Sequence, residues 1–266
     1  MWLLLATAAV STSHAAVTGP CEGQHATLPS FCNVSLPVRA RVLELLSELT
    51  VDEKLSLMGT DGAAIPRLKI PQLRWGTECL HGVVKNDYVD PAGTQPVHGP
   101  VAGGGATVFP QPLCTAASFD RALLGQIGEA IGTEARALNN AGVADGTADA
   151  AAFLSCWAPN INIYRDVRWG RGSETYGEDV ELTSELGVAF VRGLQGNHSR
   201  YKRVVATPKH YTGYSVEEVD GISRTYFDSE IPMEDLSDTY LPAWEAVVTK
   251  GGVGSIMCSY NAINGR

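Results

Sequence analysis

The most chemically informative segment of the sequence is 165–179, which reads RDVRWGRGSETYGED. It places three arginines, four carboxylates and three glycines within fifteen residues. On a protein surface, such a segment forms a cluster of salt bridges that each contribute little to stability. The rings of Trp169 and Tyr176 suit another purpose, because aromatic faces stack on sugar rings while arginine side chains bind neighbouring hydroxyl groups. The segment therefore indicates a carbohydrate site.

Polar side chains also follow the ends of four predicted strands. In chain order they are Glu78 with His81, the arginines of 165–179, Lys209 with His210, and Tyr260 with Asn261. In barrels of alternating strands and helices, functional residues lie where the strands end. We therefore expect these side chains to line one pocket. Lys209 and His210 are adjacent, so both can face it only if their strand breaks there.

The segments between these residues alternate between strand and helix patterns. Strands are predicted at 73–78, 107–109, 153–164, 204–209 and 253–260. Helices are predicted at 37–58, 118–142, 179–196 and 233–250. Their expected end signals are a Thr50–Glu53 capping box, Ser118 or Asp120, Gly142, Asp179 and Gly196. This alternation predicts an α/β fold with a parallel sheet.

The composition excludes several classes of protein. Hydrophobic residues make up 44% of the 266 residues and charged residues 18%, which predicts a sizeable buried core rather than a disordered or coiled-coil chain. The net charge is -9 and no basic patch is evident, so we expect no nucleic-acid partner.

The N-terminus is typical of a secretory signal peptide. An apolar run at 2–10 precedes the small residues Ser13, Ala15 and Ala16. The run is shorter than the roughly 20 apolar residues of a membrane helix, and no later apolar stretch is long enough to span a membrane. We therefore expect a signal peptide at 1–16, a lead-in at 17–36, and a secreted protein without a membrane partner.

Secretion allows disulfide bonds to form. Cys21 and Cys32 are expected to pair because they are close in sequence. The other cysteines lie beside apolar segments, and we expect most of them to be buried free thiols; they are Cys79, Cys114, Cys156 and Cys258. No cysteine or histidine spacing indicates zinc, so no metal is expected. Asn33 and Asn197 begin predicted N-glycosylation sequons.

Five motifs together resemble the N-terminal barrel domain of glycoside hydrolase family 3, in its branch of β-xylosidases and α-arabinofuranosidases. They are WGTECLHG at 75–82, APNINIYRD at 158–166, RWGR followed by ETYGED within 168–179, PKHY at 208–211 and MCSYNAING at 257–265. The motifs occur in the family's order and span nearly all of 30–265. The resemblance implies a (β/α)8 TIM-type barrel over 37–266, incomplete here with about five of its eight strands.

The resemblance also implies roles for individual residues. The residues expected to bind the non-reducing terminal sugar of an oligosaccharide are Glu78, Arg171, Lys209, His210 and Tyr260. The residues expected to shape the site are His81, Arg165, Asp166, Arg168 and Trp169. For His81, a structural hydrogen bond and a ligand contact are both open. No cofactor is implied.

The side chain at position 78 indicates the substrate class. In glucose-specific members of the family, an Asp usually occupies the position of Glu78. The longer Glu carries its carboxylate toward the place where the 6-hydroxymethyl group of a hexose would lie. The resemblance therefore implies a pentosidase acting on terminal β-D-xylosyl, or α-L-arabinofuranosyl, residues of xylan-derived oligosaccharides. β-Glucosidase specificity is the alternative.

The family's retaining mechanism needs a nucleophile and an acid/base whose carboxyl groups lie about 5–5.5 Å apart. The resemblance places the nucleophile, an Asp in a Ser-Asp motif, after 257–265, and the acid/base in a second, C-terminal domain. Ser237-Asp238 does not fit, because it lies in the helix predicted at 233–250. We therefore expect a piece of a longer enzyme that holds the sugar-binding half and is inactive alone. The alternative is a non-catalytic sugar-binding product, although an unclosed barrel exposes sheet edges and folds poorly.

Overall fold

The computed structural model describes residues 19–21, 28–59, 61–84, 106–145 and 153–266. The chain divides into two units, Met1–Leu73 with Asn140–Ala150, and Arg74–Asn139 with Ala151–Arg266. The signal peptide predicted at 1–16 lies outside the described residues. Among the helices within the described ranges, none has the length and apolar character needed to cross a membrane.

The first unit holds the capping box that the sequence predicts. Its helices and strands are α1 (Val38–Glu48), α2 (Val51–Ser56) and β1 (Asp61–Gly62), which pairs with β2 (Leu73–Arg74). At the start of α2, Thr50 Oγ1 accepts from the Glu53 N–H, and the Glu53 carboxylate accepts from the Thr50 N–H. A hydrogen bond from Arg67 lowers the pKa of Glu53 to about 2. Cys21 and Cys32, the pair expected from their proximity, form a disulfide bond.

Of the next three helices, the second and third begin at predicted N-caps. The three are α3 (Pro112–Ala116), α4 (Arg121–Asp145) and α5 (Val180–Gln195). Asp120 Oδ1 accepts from the N–H groups of Ala122 and Leu123, at 2.8 and 3.0 Å. Asp179 Oδ1 accepts from the Leu182 N–H at 2.6 Å. Both aspartates therefore satisfy N–H groups that the first turn of a helix leaves unpaired.

The helix C-termini agree less well with the predictions. Gly196, with a φ of 73°, follows α5 at the predicted position. The prediction that Gly142 ends α4 is wrong, since the helix continues to Asp145 and one interior glycine costs only about 1 kcal/mol. The prediction of a strand at 107–109 is also wrong, because this segment is irregular. It leads into α3, a helix that the sequence analysis missed.

Helices α4 and α5 touch through glycines. A Cβ atom at Gly132 would lie 2.3 Å from the Leu194 carbonyl oxygen, and one at Gly193 would lie 2.1 Å from the Gly125 carbonyl oxygen. Real Cβ atoms do not approach a backbone this closely. The absence of side chains at these positions is therefore what allows the two helix backbones to meet.

Four segments pair side by side in parallel. The strand β3 (Ser155–Cys156) pairs with β4 (Val205–Ala206). Isolated parallel bridges join Thr77 to Cys156, Asn160 to Lys209, and Tyr211 to Cys258. The spatial order of the segments is their order along the chain. Together with the helices between them, these pairings give the α/β class that the sequence predicts, while a closed barrel stays a prediction.

The regular strands are shorter than predicted. Pro159 and Pro208 lie in the two middle segments, and proline has no N–H to donate to a strand partner. β4 consequently ends at Ala206. The regular strand therefore stops before Lys209 and His210, which is the break that both side chains need in order to serve one site.

The helix predicted at 233–250 is present with a local change of register. It consists of α6 (Met233–Asp235), a π-helical turn at Leu236–Tyr240 and α7 (Pro242–Thr249). Pro242 lacks the N–H that would bond to the Asp238 carbonyl, and in the turn before it the Leu241 N–H donates to the Leu236 carbonyl. Short strands flank this helix: β5 (Glu218–Val219) with β6 (Ile222–Ser223), and β7 (Asp228–Ser229) with β8 (Ala262–Ile263).

The core of the second unit corrects the cysteine prediction. Its largest buried side chains include Leu124, Ile131, Leu186, Phe190, Leu194, Trp244 and Val247. Cys79 and Cys156 lie in this core as a disulfide, so they are not free thiols. Cys114 and Cys258 are free but exposed, so the expectation of burial is wrong for them. The Cys79–Cys156 pairing follows from the neighbouring Thr77–Cys156 bridge, a contact between segments that are far apart in sequence.

Candidate functional site

A buried ion pair joins the first and third of the parallel segments. Lys209 Nζ lies 2.6 Å from Glu78 Oε2, and the lysine is only 1% exposed. Burial lowers the pKa of Lys209, and the charges of Glu78 and Glu174 oppose that shift. A buried ammonium group needs an anionic partner, so Glu78 and Lys209 act as one unit.

Arg171 provides the second ion pair of the site. Its Nε and Nη2 atoms each donate to a carboxylate oxygen of Glu174 at 2.6 Å, the two-pronged arrangement that arginine favours. Burial lowers the pKa of Arg171, but Glu174 outweighs it, and the net pKa is raised. The 3-10 turn at Gly172–Glu174 sets this pair, because it folds the chain back three residues after Arg171.

His210 is held as a neutral ring of defined tautomer. Its backbone N–H donates to Asn162 Oδ1 at 2.8 Å, and its Nδ1 lies 3.1 Å from the same oxygen. An amide oxygen only accepts, so Nδ1 carries the hydrogen. Nε2 is then an acceptor, and it lies 3.3 Å from Arg171 Nη1. Burial, followed by the charges of Arg171 and Lys209, lowers the pKa of His210 to about 2.

Aromatic rings and one carboxylate support Arg171 and His210. The Tyr214 ring packs edge-on against His210 at 4.8 Å and Trp169 at 5.4 Å between ring centres. Glu217 accepts from Trp169 Nε1 at 3.0 Å and from the Tyr214 hydroxyl. The buried Trp169 thus contacts the site through Tyr214 and Glu217.

A cavity of 540 Å³ opens beside these groups. Polar side chains that line it are Glu78, His81, Gln111, Arg171 and Glu174, and apolar ones are Leu80, Val83, Val84 and Val108. His81 Nδ1 lies 3.1 Å from the Phe109 carbonyl oxygen, so it is the protonated nitrogen. His81 Nε2 is left to accept from Gln111 Nε2 at 3.3 Å. His81 therefore makes a structural hydrogen bond and also faces the cavity, which keeps both of its predicted roles open.

Tyr260, also predicted to bind sugar, is connected to the two ion pairs only indirectly in the contacts of the described residues. Its side chain is 55% exposed, and the Arg224 guanidinium lies 5.5 Å from its ring centre. Arg224 in turn lies 3.3 Å from Tyr214 and from Glu217. The structure therefore brings Glu78, Lys209, Arg171 and His210 together. Within the described ranges, Tyr260 is linked to them indirectly, through Arg224 and its partners Tyr214 and Glu217.

The three charged residues predicted to shape the site lie in its supporting loop. Asp166 pairs with Arg168, and this hydrogen bond lowers the pKa of Asp166 to about 2. The Arg168 side chain is 87% exposed, so it stabilises the loop through its bond to Asp166 and does not line the cavity. The Arg165 guanidinium lies 5.0 Å from the Tyr240 ring centre.

Sequence reasoning missed five residues that the site uses. These are Gln111, Asn162, Glu174, Tyr214 and Glu217. Asn162 and Glu174 lie inside motifs that the sequence analysis quoted, so their position was a usable signal. Glu217 follows the Lys209-His210 strand end by several residues, and nothing local marks it, because its partners come from distant segments.

Comparison with known proteins agrees with the geometry. Residues 92–266 match the family profile described as "Glycosyl hydrolase family 3 N terminal domain". The chain belongs to glycoside hydrolase family 3. This confirms the resemblance that the motifs indicate.

Two plant relatives of the family are similar over most of the chain. Beta-D-xylosidase 3 of Arabidopsis thaliana is 42% identical over 240 residues, 89% of this chain and 29% of the relative. Beta-xylosidase/alpha-L-arabinofuranosidase 1 of Medicago sativa subsp. varia is 43% identical over 240 residues, with the same two coverages.

Two solved structures share the fold. A GH3 exo-beta-xylosidase (XlnD) in complex with a xylobiose aziridine probe matches with a TM-score of 0.80 and 34% identity, covering 94% of this chain and 31% of that one. A beta-glucosidase from Kluyveromyces marxianus in complex with glucose matches with a TM-score of 0.66 and 28% identity, covering 85% and 23%. The chain thus spans under one third of the length of these relatives.

Proposed function

We propose that this chain forms the sugar-binding side of the active site of a secreted exo-acting β-xylosidase. The reaction is removal of terminal β-D-xylosyl residues from xylan-derived oligosaccharides, with retention at the anomeric carbon. The observation that carries the proposal is the group of two ion pairs and one neutral histidine beside a 540 Å³ cavity.

The charges of this group suit a neutral ligand with many hydroxyl groups. Glu78 and Glu174 carry two negative charges, and Lys209 and Arg171 carry two positive ones, so the formal charges cancel. Carboxylates accept hydrogen bonds from sugar hydroxyls, and the arginine fork donates to them. The apolar wall of the cavity offers contact for the C–H face of a pyranose ring. An anionic ligand would gain little from such a balanced site.

The proposed pentose specificity rests on Glu78. Glu78 lines the cavity. The family resemblance implies an Asp at this position in glucose-specific members. The plant relatives named above are beta-xylosidases, which supports the xylosyl substrate. The alpha-L-arabinofuranosidase name of the Medicago relative favours α-L-arabinofuranosyl residues as a second substrate.

Catalysis in this proposal needs carboxylates beyond the sugar-binding group. A retaining glycosidase uses a nucleophile and an acid/base on either side of the scissile bond. Asp238 of the Ser-Asp pair is exposed in the π-helical turn at Leu236–Tyr240, and it bonds to its neighbour Ser237. We propose that Asp238 is not the nucleophile, and that the chain by itself binds sugar without cleaving it.

Secretion and glycosylation belong to the same proposal. Asn33 and Asn197 are both exposed, so the folded chain has room for a glycan at either sequon. The Cys21–Cys32 and Cys79–Cys156 disulfides suit an oxidising compartment.

A sugar titration tests the proposed function. The full chain is titrated with D-xylose, L-arabinose and D-glucose by calorimetry or ligand-detected NMR. We expect xylose to bind about tenfold more tightly than glucose, because the hydroxymethyl group of glucose meets the Glu78 carboxylate.

Two variants sharpen this titration. Glu78→Asp shortens the side chain and should reduce the preference for xylose, whereas Glu181→Asp, at an exposed position of α5, should not change it. Tighter binding of glucose than of xylose by the native chain would overturn the pentose assignment. Absence of any sugar binding would overturn the assignment of this group as a sugar site.

A further inference from the structure

Resting on the proposed sugar site, we infer that the Cys79–Cys156 disulfide positions Glu78 for sugar binding. Cys79 directly follows Glu78 in sequence. Cys156 lies in β3, between the segment that carries Glu78 and the strand β4 that leads to Lys209. The disulfide is therefore a positioning element for the Glu78–Lys209 ion pair, in addition to a cross-link of the core.

Among the described residues, backbone hydrogen bonds join the chain to the β3 segment before Glu78 but not after it. The Thr77 N–H donates to the Ser155 carbonyl at 2.7 Å, and the Trp157 N–H donates to the Thr77 carbonyl at 2.9 Å. The next carbonyl, that of Glu78, accepts instead from the Val84 N–H. Among the described residues, the ladder to β3 thus stops at Thr77, and the disulfide at Cys79 continues the connection covalently.

The other end of the disulfide is tied to the lysine side of the ion pair. Cys156 pairs with Ala206 in β4, and its carbonyl accepts from the Thr207 N–H at 2.8 Å. Lys209 lies two residues beyond Thr207 and bridges to Asn160 of the segment that follows β3. The disulfide therefore links the segment that carries Glu78 to the paired segments that lead to Lys209.

Burial makes this link rigid. Cys79 and Cys156 are both 0% exposed, and they pack among the core side chains. Without the cross-link, the segment after Glu78 keeps its own turn and the bonds of His81 to Phe109 and Gln111, none of which reaches β3. The Glu78 carboxylate can then move away from Lys209. A site whose groups must first be ordered binds more weakly than a preorganised one.

Paired variants of the two disulfides test the inference. Cys79→Ala/Cys156→Ala removes the proposed positioning element, and Cys21→Ala/Cys32→Ala removes the disulfide of the other unit as a matched control. Xylobiose affinity is measured by calorimetry well below both unfolding midpoints. We expect the first variant to lose about tenfold or more in affinity and the control to stay within about twofold of the native chain.

A further variant separates positioning from general destabilisation. Glu78→Gln is made in the native chain and in the Cys79→Ala/Cys156→Ala background. If the disulfide acts through Glu78, the affinity lost on Glu78→Gln is much smaller in the disulfide-free background, whereas a merely structural role gives the same loss in both. Cys79→Val/Cys156→Ala, which preserves apolar volume, replaces the alanine pair if that pair does not fold.

The outcomes distinguish this inference from the proposed function. Native-level affinity in a folded disulfide-free variant, or additive losses in the cycle, would overturn the inference while the sugar site stands. Failure of the native chain to bind xylobiose would overturn the sugar site itself, and the inference with it.

Discussion

At the scale of single residues, the site depends on a histidine that stays neutral. Asn162 fixes the His210 tautomer, and Arg171 takes the remaining lone pair. His210 is therefore an acceptor at Nε2 over the whole physiological pH range. In the proposed sugar site, His210 would orient Arg171 or exchange that contact for a sugar hydroxyl, and neither role requires protonation.

The depressed pKa of His210 predicts a specific dependence of stability on pH. The unfolded chain takes up a proton on this residue below about pH 6.5, while the folded chain does so only near pH 2. The associated stability is therefore complete above pH 6.5 and is lost as the pH falls. Between pH 7.5 and 5.5, we expect the free energy of unfolding to fall by about 1.4 kcal/mol more in the native chain than in His210→Gln.

Urea denaturation of the two proteins at both pH values measures this difference. His210→Gln is the control for all other titrating groups, which it leaves in place. An equal pH dependence in the two proteins would show that the folded state takes up the proton, contrary to the neutral tautomer described here.

The sequence indicates which residues belong to the candidate site more easily than it indicates which side chains they contact. Glu78, Arg171, Lys209 and His210 were predictable because motifs and strand ends mark them. Glu217 was not predictable, because its importance comes from contacts with Trp169 and Tyr214 that only the folded chain creates.

At the scale of helices, the packing of α4 on α5 depends on glycine. A Cβ atom at Gly132 meets the Leu194 carbonyl oxygen at 2.3 Å, and backbone cannot move aside as a side chain can. Gly125, about two turns away on α4, is different, because a Cβ atom there meets only the Ala189 carbonyl oxygen at 3.7 Å. The same substitution should therefore have opposite effects at the two positions.

We expect Gly132→Ala to lower the free energy of unfolding by about 1–3 kcal/mol, through overpacking against the backbone of α5. Gly125→Ala should leave it unchanged or raise it by up to about 1 kcal/mol, because alanine favours helix. Urea denaturation of both variants measures this contrast. Equal stability of the two would show that the helices are not in glycine-mediated contact.

Local signals predicted the helix starts well and the strands poorly. Asp120, Asp179 and the Thr50–Glu53 box act within one turn, so sequence suffices to find them. Strand length depends on pairing with neighbouring strands. Pro159 and Pro208 interrupt that pairing, so the strands are shorter than the hydrophobic pattern predicts. The Cys79–Cys156 pairing depends on the packing of two segments 77 residues apart, which no local signal records.

Taken as a whole, the chain carries the proposed sugar-binding group and spans under one third of the length of the relatives named above. We expect the chain alone to release no nitrophenol from a nitrophenyl β-xyloside above the uncatalysed rate. Glu78→Gln is the control for contaminating glycosidases, because contamination does not depend on this residue. Release by the native chain that Glu78→Gln abolishes would show that the catalytic carboxylates lie within these 266 residues.

A charge-preserving pair of variants tests whether the ion-pair group around Arg171 binds sugar. Arg171→Lys removes the fork to Glu174 and His210, while Arg168→Lys changes an exposed arginine of the same loop. In a xylobiose titration, we predict that Arg171→Lys weakens binding about tenfold and that Arg168→Lys changes it by less than about twofold. Native affinity in Arg171→Lys would contradict the account.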